Sequence, residues 1–300
     1  MIQAAARTPQ IRRGVQLLVT KEKASDFINN NKPIMEQRPH KYYQYMLTRA
    51  VQTGIIPEAT LHRFFQITEG GDADLFLAIY ATTQESEQKK NTDGFEDKYI
   101  AGEIPQIGGS PTQFMGSAVF KEGQMIDIID GEETRLAQML DRTLEMESYL
   151  ATIPDPKMPE FRISYNYSQK KEPAIKMNYH RDKPTEIDVD IFFQVEVIAI
   201  PSLIKYSQNK GDQQALEEAI IQRLEKKTNE LITKTQEKYQ SDPFYWSLYI
   251  RKHFKDIKEY EKADWHKKIY PNAKINVTYH MDKLEFGKMI DDSNLNEVRD

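Results

Sequence analysis

A chain of 300 residues carries a soft expectation of about two domains and buries roughly 75% of its unfolded surface, enough to stand without disulfides or a structural metal. Its 39% apolar and 29% charged residues exclude both a disordered chain and a membrane body. Its 41 basic and 46 acidic residues leave a charge of −5, which argues against a nucleic-acid binder, and the absence of cysteine removes disulfide scaffolds, thiolate metal sites, cysteine nucleophiles and lipid attachment to sulfur within this chain.

The longest wholly apolar run, Leu75 to Ala81, falls far short of the about 18 residues a membrane helix needs. Met1–Ala6 is too short for a signal-peptide core, and its basic residues follow instead of leading. The expectation is a soluble polypeptide.

Val15–Thr20 reads as a strand entered through Gly14. A lone strand is unstable, so it pairs with a later segment or its partners lie outside the chain. Three short helical patterns follow. Ala24, Phe27 and Ile28 form the first stripe; Tyr43, Leu47 and Ala50 form the second, stopped by Gly54; Leu61, Phe64 and Phe65 form the third. Leu75–Tyr80 is then a compact apolar strand, which completes a small α/β domain over residues 23–83. Residues 84–111 turn polar and rich in glycine and proline, with no periodicity. They read as a flexible linker or insertion whose deletion is tolerated.

Residues 112–300 read as a C-terminal α+β domain. Phe114–Phe120 and Gln124–Ile129 flank a hairpin turn at Lys121–Gly123, and Glu132–Leu140 is helical. Four segments then alternate apolar with polar residues: Phe161–Ser168, Ile175–His180, Ile187–Val197 and Ile275–Met281. Period two with one polar face predicts a mostly antiparallel sheet, packed on one side and wet on the other. The cover is a long helix capped by Asp212, with Leu216, Ile220, Leu224 and Leu231 inward. Asp242–Pro243 restarts a helix through Phe244, Trp246, Leu248 and Ile250, and a third helix carries Tyr260 and Trp265. The fold class is α+β and multi-domain: a mostly antiparallel C-terminal sheet under long helices, preceded by a small α/β domain.

No constellation announces catalysis or a cofactor. The six histidines lack the spacing of a helical zinc site, and neither a phosphate-binding loop nor a hydrolase elbow occurs. His180 and His280 fall on the polar faces of two strands and become neighbours if those strands pair. Asp188, Asp190 and Glu196 line the wet side of the long strand, where paired carboxylates could serve acid–base work or hold calcium; such spacing is also what any half-exposed strand gives. Phe244, Tyr245, Trp246, Tyr249 and Phe254 read as packing. Arg251–Lys268 holds seven basic and four acidic residues. That excess reads as a solvated helix surface or a face toward an anionic membrane or cell-wall polymer, with Arg251, Lys252, Lys255 and Lys258 as its candidate contacts.

Four segments, in order, resemble the Ger(x)C family, the lipoprotein C subunits of spore nutrient germinant receptors. They are Gly14–Ala24 (GVQLLVTKEKA), Gly116–Thr134 (GSAVFKEGQMIDIIDGEET), Tyr239–Phe244 (YQSDPF) and Trp265–Val277 (WHKKIYPNAKINV). Pro243–Trp246 departs from the family's more usual glycine-containing V-F-G-F-G turn. The family's signal peptide, lipid-bearing cysteine and first N-terminal portion have no counterpart here, so residues 1–22 read as a remnant strand of a missing N-terminal domain. The resemblance implies a non-enzymatic, membrane-peripheral subunit; the absence of cysteine and the scattered histidines predict that no metal or cofactor is bound. The subunit would be lipid-anchored in full-length form at the outer surface of the spore inner membrane, acting with two membrane-embedded partners, the A and B subunits. The alternative from another class is a secreted or cell-wall-associated enzyme using the carboxylate-lined sheet face.

Overall fold

In the computed structural model the described residues are 12–31, 38–69, 74–86, 95, 97–141 and 146–287. Two sheets lie among them. The first has the order β1-β2-β3-β4, built from β1 (Leu18–Thr20), β2 (Phe76–Thr82), β3 (Gln113–Lys121) and β4 (Gln124–Ile129). Its helices are α1 (Ala24–Asn30), α2 (Pro39–Gln52), α3 (Leu61–Glu69) and α4 (Gly131–Leu140). The second sheet runs β5 (Ser148–Pro154), β6 (Arg162–Gln169), β8 (Glu186–Ala199), β7 (Ala174–Asn178), with β9 (Lys274–Glu285) also on β8.

β8 shows how pattern becomes packing. Ile187, Val189, Ile191, Phe193, Val195 and Val197 are each at most 1% exposed, while the even positions between them meet water to varying degrees. The odd positions face the core that α4 and α5 (Lys210–Lys234) also enter: α5 packs on the neighbouring β9, and its Leu216, Ile220, Leu224 and Leu231 are buried in the same cluster. The helix starts earlier than the sequence suggests. Asn209, not Asp212, is the cap, its Oδ1 accepting from the Gly211 amide at 2.9 Å. Asp212 sits in the first turn, where a carboxylate favours the helix dipole.

Three other expectations are corrected. β1 is no orphan remnant: Leu18, Val19 and Thr20 pair in parallel with Ile79, Tyr80 and Ala81 of β2. β9 runs parallel to β8, not antiparallel, because the helical crossover between them returns the chain in the same direction. Asp242–Pro243 opens no long helix; only Ser247–Ile250 (α6) is α-helical, followed by a turn at Arg251–His253 and then α7 (Ile257–Ala263).

The expected division at 84–111 does not separate two cores. β2 and β3 flank that span and pair with each other, Leu77 opposite Val119. Leu75, Leu77, Val119 and Ile129 belong to the same buried cluster as Val189 of the second sheet and its cover, Leu216, Ile220 and Trp246. The opposite face of the first sheet packs on α1–α3 through Phe27, Ile56, Phe64 and Phe114. A strand buried on both faces needs no polar positions, which is why β2 reads as a continuous apolar run. Within the span, the Ala101 amide donates to Met115 O (3.0 Å) and the Gly102 amide to Gln113 Oε1 (2.7 Å), with Ala101 fully buried. Deleting all of 84–111 would strip these contacts from β3; residues 87–94 and 96 lie outside the described set.

Candidate functional site

The basic segment lies on the surface of the C-terminal half. Arg251, Lys252, Lys255 and Lys258 are all exposed, on the turn after α6 and on the approach to and first turn of α7. Asp256 caps α7 by accepting from the Glu259 amide at 2.8 Å. The Arg251 guanidinium stands 5.5 Å from the centre of the Tyr260 ring. One apolar side chain of the segment, Ile257, is 74% exposed, and one on α6 just before it, Leu248, is 43% exposed.

Beside it, a cleft of about 810 Å³ opens between the β7–β8 connection and α7 with the turns after it. Tyr179 and Phe254 contribute aromatic lining, their ring centres 4.8 Å apart. Arg181, Lys183, Lys262 and Lys268 line it against the carboxylates Asp182 and Glu259. Glu259 is engaged: it pairs with Arg181 and its Oε2 accepts from the Lys255 amide at 2.9 Å. Its carboxyl is held below the ordinary range first by that amide, with Arg181 adding to the effect. The sequence-derived candidates Arg251, Lys252, Lys255 and Lys258 do not line this cleft; Lys262 and Lys268 of the same basic stretch do, and the sequence reading singles out neither the cleft nor Arg181 and Lys183. Their signal was present as a short charged connection, His180–Pro184, between two strands.

The carboxylate face is open sheet surface. Asp188 accepts from Asn276 Nδ2 (2.9 Å) and Asp190 meets His280 Nε2 at 2.6 Å, both side chains of the latter pair nearly half exposed. Glu196 is exposed. His180 and His280 are not brought together. β7 and β9 flank opposite sides of β8: His180 lies beyond the Asn178–Glu186 pair, and His280 pairs with Phe192. Among the described residues no three His, Asp or Glu side chains group to hold a metal.

A buried polar junction lies under the site, where the two sheets' layers meet. Asp242 is fully buried. Its Oδ1 accepts from the Phe244 amide (3.1 Å), its Oδ2 from Trp265 Nε1 (2.9 Å), and its carbonyl from the Leu75 amide (3.0 Å). Asp74 Oδ2 accepts from Ser247 Oγ at 2.7 Å. Its Oδ1 lies 3.5 Å from His266 Nε2, and neither atom has a hydrogen-bond partner among the described residues. His266 Nδ1 faces Ser241 Oγ at 2.9 Å. Burial dominates the charges: it drives His266 down to about 4, raises Asp242 to about 6 and raises Asp74. Serine, histidine and aspartate thus stand in line, but Ser241 is completely buried, so no substrate carbonyl can reach its oxygen. The group is a structural joint. Sequence reading took Asp242 for a helix start because an Asp-Pro pair carries no signal of burial.

Tyr245, within the stretch Pro243–Trp246 that departs from the resembled family's glycine-containing turn, adopts a left-handed φ of 59°. Arg63 holds it there, its Nε donating to the Tyr245 hydroxyl at 3.3 Å and its guanidinium lying 4.5 Å over the ring. Arg63 also pairs with Asp141 and with Glu58, the latter at 3.2 Å.

A family model described as spore germination B3/GerAC like, C-terminal, matches residues 115–287, and a spore germination protein N-terminal domain model matches residues 1–82. The crystal structure of the GerBC protein is similar at 14% identity and a TM-score of 0.58, over 94% of this chain and 73% of that one. At that identity the likeness speaks to the fold. Comparison with curated proteins gave no match.

Proposed function

This chain belongs to the spore germination B3/GerAC-like family, and on that premise we propose that it is the C subunit of a nutrient germinant receptor, acting through protein–protein contact and without catalysis. The observation that carries the reading is the pair of spore-germination models matching the two ends of one chain in order. No helix among the described residues is long and apolar enough to cross a membrane. The reading, which follows from the family alone, has the subunit held by a lipid anchor, in its full-length form, at the outer surface of the spore inner membrane beside the membrane-embedded A and B subunits.

Arg251, Lys252, Lys255 and Lys258, with Leu248 and Ile257 exposed beside them, are the face turned toward that membrane or those partners. Each such cation near an anionic leaflet contributes about 1 kcal/mol, and exposed apolar side chains add burial on contact. The carboxylate face supports the enzymatic alternative less well, since Asp188 and Asp190 are spent on Asn276 and His280 in open surface. The test is purification of a tagged, full-length form from detergent-solubilised spore membranes. Two multi-span receptor subunits should co-purify, and reversing the four cations to glutamate should reduce their recovery. Recovery of the tagged protein alone, in amounts matching its expression, contradicts the reading.

A further inference from the structure

The cleft between the β7–β8 connection and α7 is concave, and that shape separates it from the basic surface beside it. A bilayer is locally flat and cannot fill a recess of about 810 Å³. A small metabolite is normally enclosed over about 70–90% of its surface. Here the walls stay open, with Arg181, Lys183, Lys262 and Lys268 all exposed. The shape suits an extended segment laid along the recess.

The charge pattern selects the chemistry of that segment. Arg181 is neutralised by Glu259, whereas Lys183, Lys262 and Lys268 make no ion pair with any described residue. Tyr179 and Phe254, each partly exposed, supply apolar surface between the cations. Four cations against the two carboxylates Asp182 and Glu259 leave the lining an excess of two positive charges around Tyr179 and Phe254, which on a chain carrying −5 overall complements carboxylates interspersed with apolar side chains.

We propose that this cleft is a docking site for an acidic, aromatic-bearing peptide segment of a protein partner, with Lys183 and Lys262 facing its carboxylates and Tyr179 and Phe254 its apolar side chains. The proposal rests on the preceding reading only for the identity of the partner, a receptor subunit. The cleft's preference for an acidic segment stands on the geometry and is tested on the purified chain alone.

The probe is a short fluorescent peptide of glutamates interrupted by phenylalanines, with a lysine-for-glutamate version as its counterpart, followed by fluorescence anisotropy. The acidic peptide should bind saturably and the lysine version should not. Lys183→Glu and Lys262→Glu should each weaken binding by about tenfold, and raising salt from about 0.05 M to about 0.5 M should weaken it further. Lys226→Glu, an exposed cation on α5 remote from the cleft in sequence and element, should leave the affinity within about twofold. Phe254→Ala should lower affinity without removing the salt dependence. Absence of saturable binding, or binding by the two cleft variants equal to that of the parent, overturns the proposal. So does binding of anionic phospholipid vesicles that is lost in those same variants while the peptide does not bind, an outcome that would give the cleft to lipid headgroups. None of these outcomes bears on the germination phenotype, so the two readings fail separately.

Discussion

At the scale of single residues, the fold turns on which side of a strand a side chain occupies. Val189 is 1% exposed in the central cluster, while its neighbour Asp190 is half-buried at the wet face with His280. Val189→Asp places an unpaired carboxylate in the core and should cost about 3 kcal/mol or more, whereas Asp190→Val should stay within about 1 kcal/mol. Denaturant midpoints of the two variants decide the matter, and similar small shifts would mean the faces are misassigned. This alternation was fully legible, because period two needs only the sequence to be seen. The buried polar residues were not. Asp74, Asp242 and His266 come from segments far apart in the chain, and nothing in a single sequence marks an aspartate as one that meets tryptophan instead of water. Gly116 is a clearer case. Its φ is +82° and a Cβ there would lie 2.4 Å from the Ile129 carbonyl oxygen. Gly116→Ala should therefore destabilise by more than about 1 kcal/mol, measurable as a lowered Tm.

At the scale of elements, local chemistry sets boundaries and tertiary contacts set partners. The β3–β4 hairpin closes on Glu122 and Gly123, both at positive φ, the two-residue turn whose twist matches paired strands. α4 starts at a reciprocal cap, Asp130 accepting from the Glu133 amide at 2.8 Å while the Glu133 carboxylate faces the Asp130 amide. These features were readable because they act over a few residues. The start of α5 was misread by three positions since Asn209 and Asp212 are both good caps, and only the backbone, extended at Asn209, chooses between them. Asn209→Ala should cost about 1 kcal/mol, and Asp212→Ala less, in the same denaturant experiment. A larger loss for Asp212→Ala would return the cap to the position the sequence suggested. The partners of β1 and the direction of β9 were beyond local reading. Each depends on a crossover of many residues, and pairing of that range leaves no periodic trace.

At the scale of the whole molecule, the two sheets share one apolar cluster and the polar joint of Asp74, Asp242 and His266, so the layers should respond to pH together. His266 is kept neutral, at about 4 against an ordinary 6.5, by burial and then by Lys121, with Asp264 opposing. Its contribution to stability is complete above about pH 6.5 and is lost as pH falls toward 4. Asp242, raised to about 6, has the opposite sign: its contribution is present at low pH and is lost as pH rises through 6, and Asp74 acts in the same direction. The two effects partly cancel in the native protein. His266→Gln removes one of them, so its stability relative to the parent should improve by about 2 kcal/mol on going from about pH 7 to about pH 5. An unchanged difference would mean that His266 is not held neutral in the fold. The germination role itself is tested most directly in spores, by nutrient-triggered germination of a strain lacking this chain and complemented with the parent or with Val189→Asp. Deletion should abolish the response to at least one nutrient, the parent should restore it, Val189→Asp should not, and a trigger that bypasses nutrient receptors should work in every strain. Undiminished germination of the deletion strain with every nutrient to which the parent strain responds would contradict the role.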